Sequence, residues 1–280
     1  MKAELRLLEN DFKAAARIGQ RESLEGAFAR LRALPEAASN QPLSEAFLSR
    51  LVPALAASLA LPRLPAAALR PFLKDPLVAV RSVAAAALGK RYQAGLEAPL
   101  QDLLKAGRDA RPEVRRSLAE SLGEAGAGDP ARLWELVTPW IQDSSPRLRH
   151  SALLALAKRS EEPGFIAERG RELLEQLEGL QSDPDPEVRG GLAAVLTAAA
   201  RNGLHAPVLD ALQRWAGEPE PSSWVISQVL SAAWAAQHLD RAGDILKTLE
   251  ARTGLTRYVT NARRALERHA GQSSRSIRGG

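Results

Sequence analysis

The stretch Asp75-Pro76-Leu77-Val78-Ala79-Val80-Arg81 opens a pattern that this 280-residue chain repeats three more times without gaps. In every copy an aspartate stands six residues before an arginine, and valine or leucine comes directly before that arginine. The other copies begin at Asp109, Asp143 and Asp183, and leucine follows each arginine seven residues later. A more divergent fifth copy covers residues 220–226. Such self-similarity is the signature of a repeat architecture.

The motif arginines are 34, 34 and 40 residues apart, which is long enough for two helices and two turns. Apolar residues at positions −1, +3, +4 and +7 from the arginine share one helical face, and the arginine lies near its middle. Because a buried arginine needs a partner, we expect the repeated aspartate to bind it. The predicted structural ladder consists of Asp75, Arg81, Asp109, Arg115, Asp143, Arg149, Asp183 and Arg189.

The rest of the chain is organised around these copies. Residues 61–236 form the predicted repeat block, in which a second helix precedes each motif; these helices are expected at 61–73, 96–105, 131–142, 165–180 and 204–216. Three or four helices without the motif are predicted in residues 1–60, as an atypical N-terminal cap. Residues 237–270 are predicted to form a closing helix pair, and 271–280 a flexible basic tail.

The Asp-x5-Arg motif, followed by Leu88-Gly89 in the first copy and Leu122-Gly123 in the second, resembles the HEAT-repeat family. The resemblance implies an all-α fold, a right-handed α-solenoid of stacked antiparallel helix pairs with about six to seven repeats. It also implies that the aspartates and arginines form a hydrogen-bonded ladder between neighbouring repeats. Members of this family serve as scaffolds, as transport factors and in a few cases as enzymes, so the fold alone does not decide the function.

The motif helices are expected to present an outward face to a partner. Its predicted partner-binding residues are Lys90, Arg116, His150, Leu154 and Lys158. Small residues accompany them, and Val83 and Leu154 are expected to add exposed apolar area. Small side chains either permit close approach of a partner or relieve crowding inside a curve. The leading hypothesis is therefore a non-enzymatic scaffold that holds a protein or peptide on the concave face of the solenoid.

The positive charge lies at the C-terminal end of the chain. The net charge is +5, but residues 251–280 carry seven arginines against one glutamate, a net charge of +6. Arg257, Arg264 and Arg268 fall on one side of the last predicted helix, where they are candidates for binding a polyanion such as nucleic acid. The alternative is that this stripe is the polar outer face of a capping helix.

A second resemblance supports the nucleic-acid alternative. Residues 139–143 and 148–153 are similar to a segment of the HEAT-like DNA alkylation-repair glycosylases, and the similarity implies that Arg149 lies near bound DNA. The catalytic Trp-Asp segment of that family has no match here. Some pigment-attachment lyases also look like HEAT solenoids, but no residue of this chain points to their activity.

Other functions find little support in the composition. The chain has no cysteine, which excludes disulfides, Cys-ligated zinc, iron–sulfur clusters and thiol catalysis. The four histidines show no metal-ligand spacing, and no phosphate-binding glycine loop occurs. We therefore expect no metal, no cofactor and no identifiable catalytic residue, and enzymatic activity is left open. The most apolar stretch, 51–62, is too short to span a membrane, so a cytoplasmic location is expected by default.

Overall fold

The computed structural model describes residues 2–39, 41–124, 129–218, 222–253 and 256–278. Within these ranges every regular element is a helix, and no strand occurs. The predicted all-α helical-repeat class is confirmed. The chain divides into two compact units, residues 1–158 and 159–280.

The first unit contains eight complete α-helices and most of a ninth among its described residues. Short helical turns at Phe47–Leu51, Ala66–Leu69 and Phe72–Lys74 separate some of them. The helices are α1 (Lys2–Ile18), α2 (Arg21–Arg32), α3 (Pro35–Ala38), α4 (Val52–Leu59), α5 (Val78–Gln93), α6 (Leu100–Gly107), α7 (Pro112–Gly123), α8 (Pro130–Ile141) and α9 (Pro146–Arg159).

The second unit continues with six α-helices in its described residues. Further helical turns lie at Leu180–Ser182, Ala200–Leu204 and Ala233–His238. The helices are α10 (Pro163–Leu177), α11 (Pro186–Ala199), α12 (His205–Ala216), α13 (Ser223–Leu230), α14 (Leu239–Thr253) and α15 (Arg257–Arg278). Helices α11, α13 and α15 pack in sequence against one another, and α12 packs against α14.

The motif aspartate builds the turn that starts each motif helix. Its Oδ1 accepts a hydrogen bond from the backbone N–H two residues later, at 2.9 Å for Asp75, Asp109 and Asp183 and 2.8 Å for Asp143. Proline then occupies the first turn of α7, α9 and α11, where its missing N–H costs no helical hydrogen bond. The sequence therefore specifies the same turn and helix start four times.

One predicted helix is wrong. The sequence predicts a continuous helix over 61–73, but the structure has two short 3₁₀ turns there, Ala66–Leu69 and Phe72–Lys74. Pro62, Pro65 and Pro71 punctuate this segment, and each lacks the N–H that a continuous helix needs. Phe72 nevertheless reaches the core, where its ring stacks on Phe28 with centroids 3.9 Å apart.

The C-terminal helix is longer than the sequence analysis expects. Helix α15 begins at Arg257 and continues to Arg278, through most of the segment 271–280 predicted as a tail. Residues 279 and 280 of that segment lie outside the described residues, as do 220 and 221 of the fifth motif copy.

Candidate binding sites on the repeat helices

The first motif arginine joins neighbouring repeats, and all four bind the turn of their own copy. Arg81 donates to Asp109 of the next copy from Nε (2.9 Å) and from a terminal nitrogen (3.3 Å). A second terminal nitrogen of Arg81 donates to the backbone oxygen of Asp75, at 2.8 Å, in its own turn. One arginine therefore forms hydrogen bonds both to its own turn and to the turn of the following copy. The same contact to the motif-aspartate carbonyl recurs at Arg115, Arg149 and Arg189, at 2.9, 2.9 and 2.5 Å.

The ladder begins before the first motif copy. Arg32 of α2 donates to Asp75 from Nε at 3.0 Å and from a terminal nitrogen at 2.7 Å, although residues 1–60 contain no copy of the motif. At the third copy, Arg108 donates to Asp143 at 2.8 Å. The pKa of Asp143 is lowered, first by the hydrogen bond from the Ser145 backbone N–H and then by Arg108. Arginines outside the motif therefore also form hydrogen bonds to the motif aspartates.

Glycines allow successive motif helices to pack closely. A Cβ placed on Gly123 of α7 would lie 2.3 Å from the backbone oxygen of Ala155 in α9 and 2.8 Å from the Cβ of Lys158. A Cβ on Gly89 of α5 would lie 2.8 Å from the Cβ of Ser121. Real Cβ atoms do not approach other atoms so closely. The glycine that follows the motif leucine is therefore a packing requirement in the first two copies.

The predicted exposure of the outward face is wrong for α5. Ser82 and Val83 are fully buried, and Ala86 is 1% exposed, so Val83 adds no apolar surface. In α7 and α9, Ser117 and Ser151 are also buried. The reason is that α4 and α7 both pack directly on α5. These small residues serve packing within the chain.

A segment from the N-terminal cap reaches α7. Both carboxylate oxygens of Glu45 accept hydrogen bonds of 2.6 Å from Arg116, which also donates to Glu120 at 2.7 Å. The hydrogen bond with Glu45 is the main cause that raises the pKa of Arg116 and lowers that of Glu45. The hydrogen bond from Arg111 is the main cause that lowers the pKa of Glu113, and the backbone of Leu43 lowers it further. Arg116, predicted to bind a partner, is thus held by carboxylates of its own chain.

Two other predicted partner-binding residues meet in one cleft of the first unit. Lys90 of α5 and Lys158 of α9 both line a cavity of about 270 Å³. Lys90 also pairs with Glu124 across neighbouring motif helices. His150 and Leu154 are half-buried on α9 and do not line this cavity. The remaining lining residues are Leu48, Ser49, Val52, Pro53, Ser117, Glu120, Ser121 and Glu124.

The cleft has one apolar and one polar wall. Leu48, Val52 and Pro53 contribute the apolar wall from α4 and the helical turn before it. Lysines, glutamates and serines from α5, α7 and α9 contribute the polar wall. The apolar wall is not predictable from the sequence, because residues 41–59 carry no motif that links them to helices so much later in the chain.

The predicted polyanion-binding residues Arg257, Arg264 and Arg268 are exposed on α15. Val259, Ala262 and Leu266 are buried on its opposite side, as the sequence pattern predicts. Arg257 donates to the Tyr258 hydroxyl at 3.1 Å. In the part of the chain that the structure describes, neither Arg264 nor Arg268 forms an ion pair within 4.0 Å.

Arg149, which the glycosylase resemblance implies to lie near DNA, is half-buried on α9. It donates to the backbone carbonyls of Asp143 and Ser144.

Two further findings concern the described residues alone. No three histidine, aspartate or glutamate side chains among them are grouped as metal ligands. None of their helices combines the length and the apolar character needed to cross a membrane.

Comparisons with known proteins find a similarity in the repeat block. Residues 66–157 match the family model described as HEAT repeats. That match gives no support to the glycosylase resemblance of residues 139–153. A search of curated proteins returns no match.

Solved structures similar to the chain include designed armadillo repeat proteins and an engineered protein. One is a designed armadillo repeat protein with 20% identity, covering 91% of this chain and 97% of that chain, at a TM-score of 0.38. Another is a designed armadillo repeat protein in complex with the peptide (KR)4, with 16% identity, 92% and 97% coverage and a TM-score of 0.37. A third is an engineered protein with 17% identity, 72% and 96% coverage and a TM-score of 0.37. Matches at these scores carry no argument about the partners of this chain.

Proposed function

Since residues 66–157 match the family model of HEAT repeats, we propose that the protein is a non-enzymatic scaffold that holds a peptide segment of a partner protein. The observation that carries this proposal is the cleft shared by Lys90 and Lys158. These lysines come from the first and third motif helices, and the cleft is concave, with an apolar wall and a few polar groups. That combination is typical of ligand sites in proteins.

The rigidity of the cleft supports the proposal. The Arg81–Asp109 contact fixes α5 against α7, and the close approach at Gly123 fixes α7 against α9. A site held in its binding conformation loses less conformational entropy when a ligand binds, which favours affinity.

A peptide selection tests this function. We expect peptides enriched on the wild-type protein from a random phage library to bind the double variant Lys90→Ala/Lys158→Ala at least tenfold more weakly, as measured by fluorescence polarisation. The matched control is Lys247→Ala, because Lys247 is exposed on α14 and far from the cleft residues in sequence. Equal affinity for the double variant and the wild type, or no enriched peptide, would contradict the proposal.

The exposed stripe on α15 favours a second candidate function, the binding of nucleic acid or another polyanion. Arg257, Arg264 and Arg268 lie on the solvent side of the helix, where their guanidinium groups are accessible to phosphates. Three phosphate contacts predict that log Kd rises with log salt at a slope of roughly 2.7.

Duplex DNA binding at several salt concentrations measures that slope. We expect Arg264→Glu to weaken binding and to reduce the slope by about 1, because one phosphate contact is lost. The control is Arg252→Glu, which makes the same charge change at an exposed position at the end of α14. A slope that both variants change equally, or that neither changes, would assign any DNA binding to another part of the chain.

A further inference from the structure

A groove of about 670 Å³ runs between α10 and α12 in the second unit. Both helices pack against the turn Ala200–Leu204, which lies between them. By contrast, α12 packs directly against α14. The turn therefore acts as a spacer that leaves the surface between α10 and α12 open.

The spacer turn has a defined conformation. Asn202 and Gly203 depart from helical backbone angles, and Gly203 has φ +113°, a region that favours glycine. The Asn202 side-chain amide donates to the backbone oxygens of Ser160 and Ala198, both at 2.9 Å. Leu204 then packs against Gly170 of α10. A Cβ placed on Gly170 would lie 3.0 Å from Cδ1 of Leu204. The groove is thus held open by contacts specific to this turn.

The floor of the groove is apolar. Ile166 and Ala211 are buried beneath it, and Leu174 and Leu204 are half-buried along it. Ala167, on the wall formed by α10, is exposed.

Carboxylates dominate the rim. Glu168, Glu175, Glu178 and Asp210 line the groove, against two arginines, Arg171 and Arg214. One of these arginines, Arg214, donates to Glu178 at 3.0 Å. Glu175 is exposed and forms no ion pair with any residue that the structure describes. Glu168 also pairs with Arg169 and Asp210 with Arg241, neither of which lines the groove, so the net charge of the lining residues is −2.

The charge of the surrounding chain has the same sign. Residues 159–250 carry eight lysines and arginines against fifteen aspartates and glutamates, a net charge of −7. Residues 1–158 and 251–280 each carry a net charge of +6. These three charges sum to the small net charge of +5 for the whole chain. The groove lies within the acidic segment.

We propose that this groove binds a cationic amphipathic helix of a partner protein. Helices α10 and α12 have 15 and 12 residues, so the groove flanks about 18 to 22 Å of helix and accommodates roughly three turns of a ligand helix. Leucine-type side chains of the ligand would cover the apolar floor, and its arginines or lysines would meet the rim carboxylates. No lining residue is shared with the Lys90–Lys158 cleft, so this proposal does not rest on the proposed function.

The probe is a fluorescein-labelled 18-residue helical peptide with leucines on one face and arginines on the other. We expect it to bind the full chain with a micromolar Kd. Two further peptides test the chemistry: one has glutamate in place of arginine, and one has the same composition in an order that breaks the apolar face. Neither is expected to bind measurably.

Two groove variants and a charge-matched control locate the site. Glu168→Lys/Glu175→Lys changes exposed rim residues, and Ala167→Trp blocks the groove without changing charge. We expect each to weaken probe binding at least tenfold. The control, Glu135→Lys/Glu267→Lys, makes the same charge change at exposed positions outside the groove and is expected to weaken binding less than twofold.

Each alternative outcome overturns the proposal. If the reordered peptide bound as tightly as the probe, binding would reflect general attraction to an acidic surface. The same conclusion would follow if Glu135→Lys/Glu267→Lys weakened probe binding as much as the groove variants do. Unchanged binding by Ala167→Trp would place the peptide elsewhere. Lys90→Ala/Lys158→Ala is expected to retain the probe, and loss of binding in that variant alone would move the cationic helix to the cleft.

Discussion

We expect Gly123→Ala to lower the free energy of unfolding by about 2 to 3 kcal/mol, although alanine is the better helix former. The added methyl group would lie 2.3 Å from the backbone oxygen of Ala155 and 3.1 Å from its carbonyl carbon. Backbone atoms within a helix cannot rotate away as a flexible side chain can. Helices α7 and α9 therefore have to separate, and the contacts between them weaken.

Gly243→Ala in α14 is the matched control. Nothing lies within 4 Å of a Cβ at that position, so we expect a gain of about 0.5 to 1 kcal/mol from helix propensity alone. Gly89→Ala is expected to destabilise as well, because its Cβ would meet the Cβ of Ser121 at 2.8 Å and the oxygen of Leu118 at 3.0 Å. Urea unfolding followed by circular dichroism measures all three. A Gly123→Ala variant as stable as the wild type would show that α7 and α9 separate at little cost.

These glycines illustrate what the sequence predicts well. The Asp-x5-Arg motif, with leucine seven residues after each arginine, is enough to predict stacked repeats, because each copy repeats the same local turn. The fold class and the turn chemistry depend on residues within one copy of the motif, so they are visible in the sequence. That the glycines are needed for contact between successive helices becomes visible only when those helices are placed.

The candidate sites were less predictable, because they depend on contacts between distant residues. Glu45 binds Arg116 across 71 positions, and no periodicity links the two. The burial of Val83 is not predicted for a similar reason: a helical-face calculation assumes one buried side, whereas α5 is covered by both α4 and α7. The groove between α10 and α12 depends on the two non-helical residues Asn202 and Gly203. An Asn-Gly pair predicts a turn, but it does not predict an open groove beside that turn.

The second large effect is expected at the ladder, where Asp109→Ala should lower the free energy of unfolding by about 3 kcal/mol. The change removes the hydrogen bond from the Arg111 backbone N–H at 2.9 Å and both hydrogen bonds from Arg81. The side chains of Arg81 and Asp109 are each only 14% exposed, so water replaces the lost partner poorly. Arg81 keeps its bonds to the carbonyls of Asp75 and Pro76, which limits the loss.

An exposed ion pair provides the control for this effect. Asp210 pairs with Arg241 at 2.5 Å, but the two side chains are 63% and 45% exposed, so Asp210→Ala is expected to cost less than about 1 kcal/mol. Asp109→Asn separates the two roles of the carboxylate, because an amide oxygen still accepts from Arg111 while the charge opposite Arg81 is lost. We expect its stability to fall between those of the wild type and Asp109→Ala.

A double-mutant cycle with Arg81→Ala then isolates the contact between repeats. Arg81→Ala alone also removes the hydrogen bonds to the carbonyls of Asp75 and Pro76. The single variants therefore overstate the free energy of the Arg81–Asp109 contact, and the coupling energy of the cycle measures it. Because the pair is largely buried and bound through two nitrogens, we expect a coupling of more than about 1 kcal/mol, measured by urea unfolding of the four proteins. Additive effects would mean that the aspartate acts through its turn alone. The ladder would then be a set of separate helix starts, and the attachment of one repeat to the next would depend on the close approach at Gly89 and Gly123.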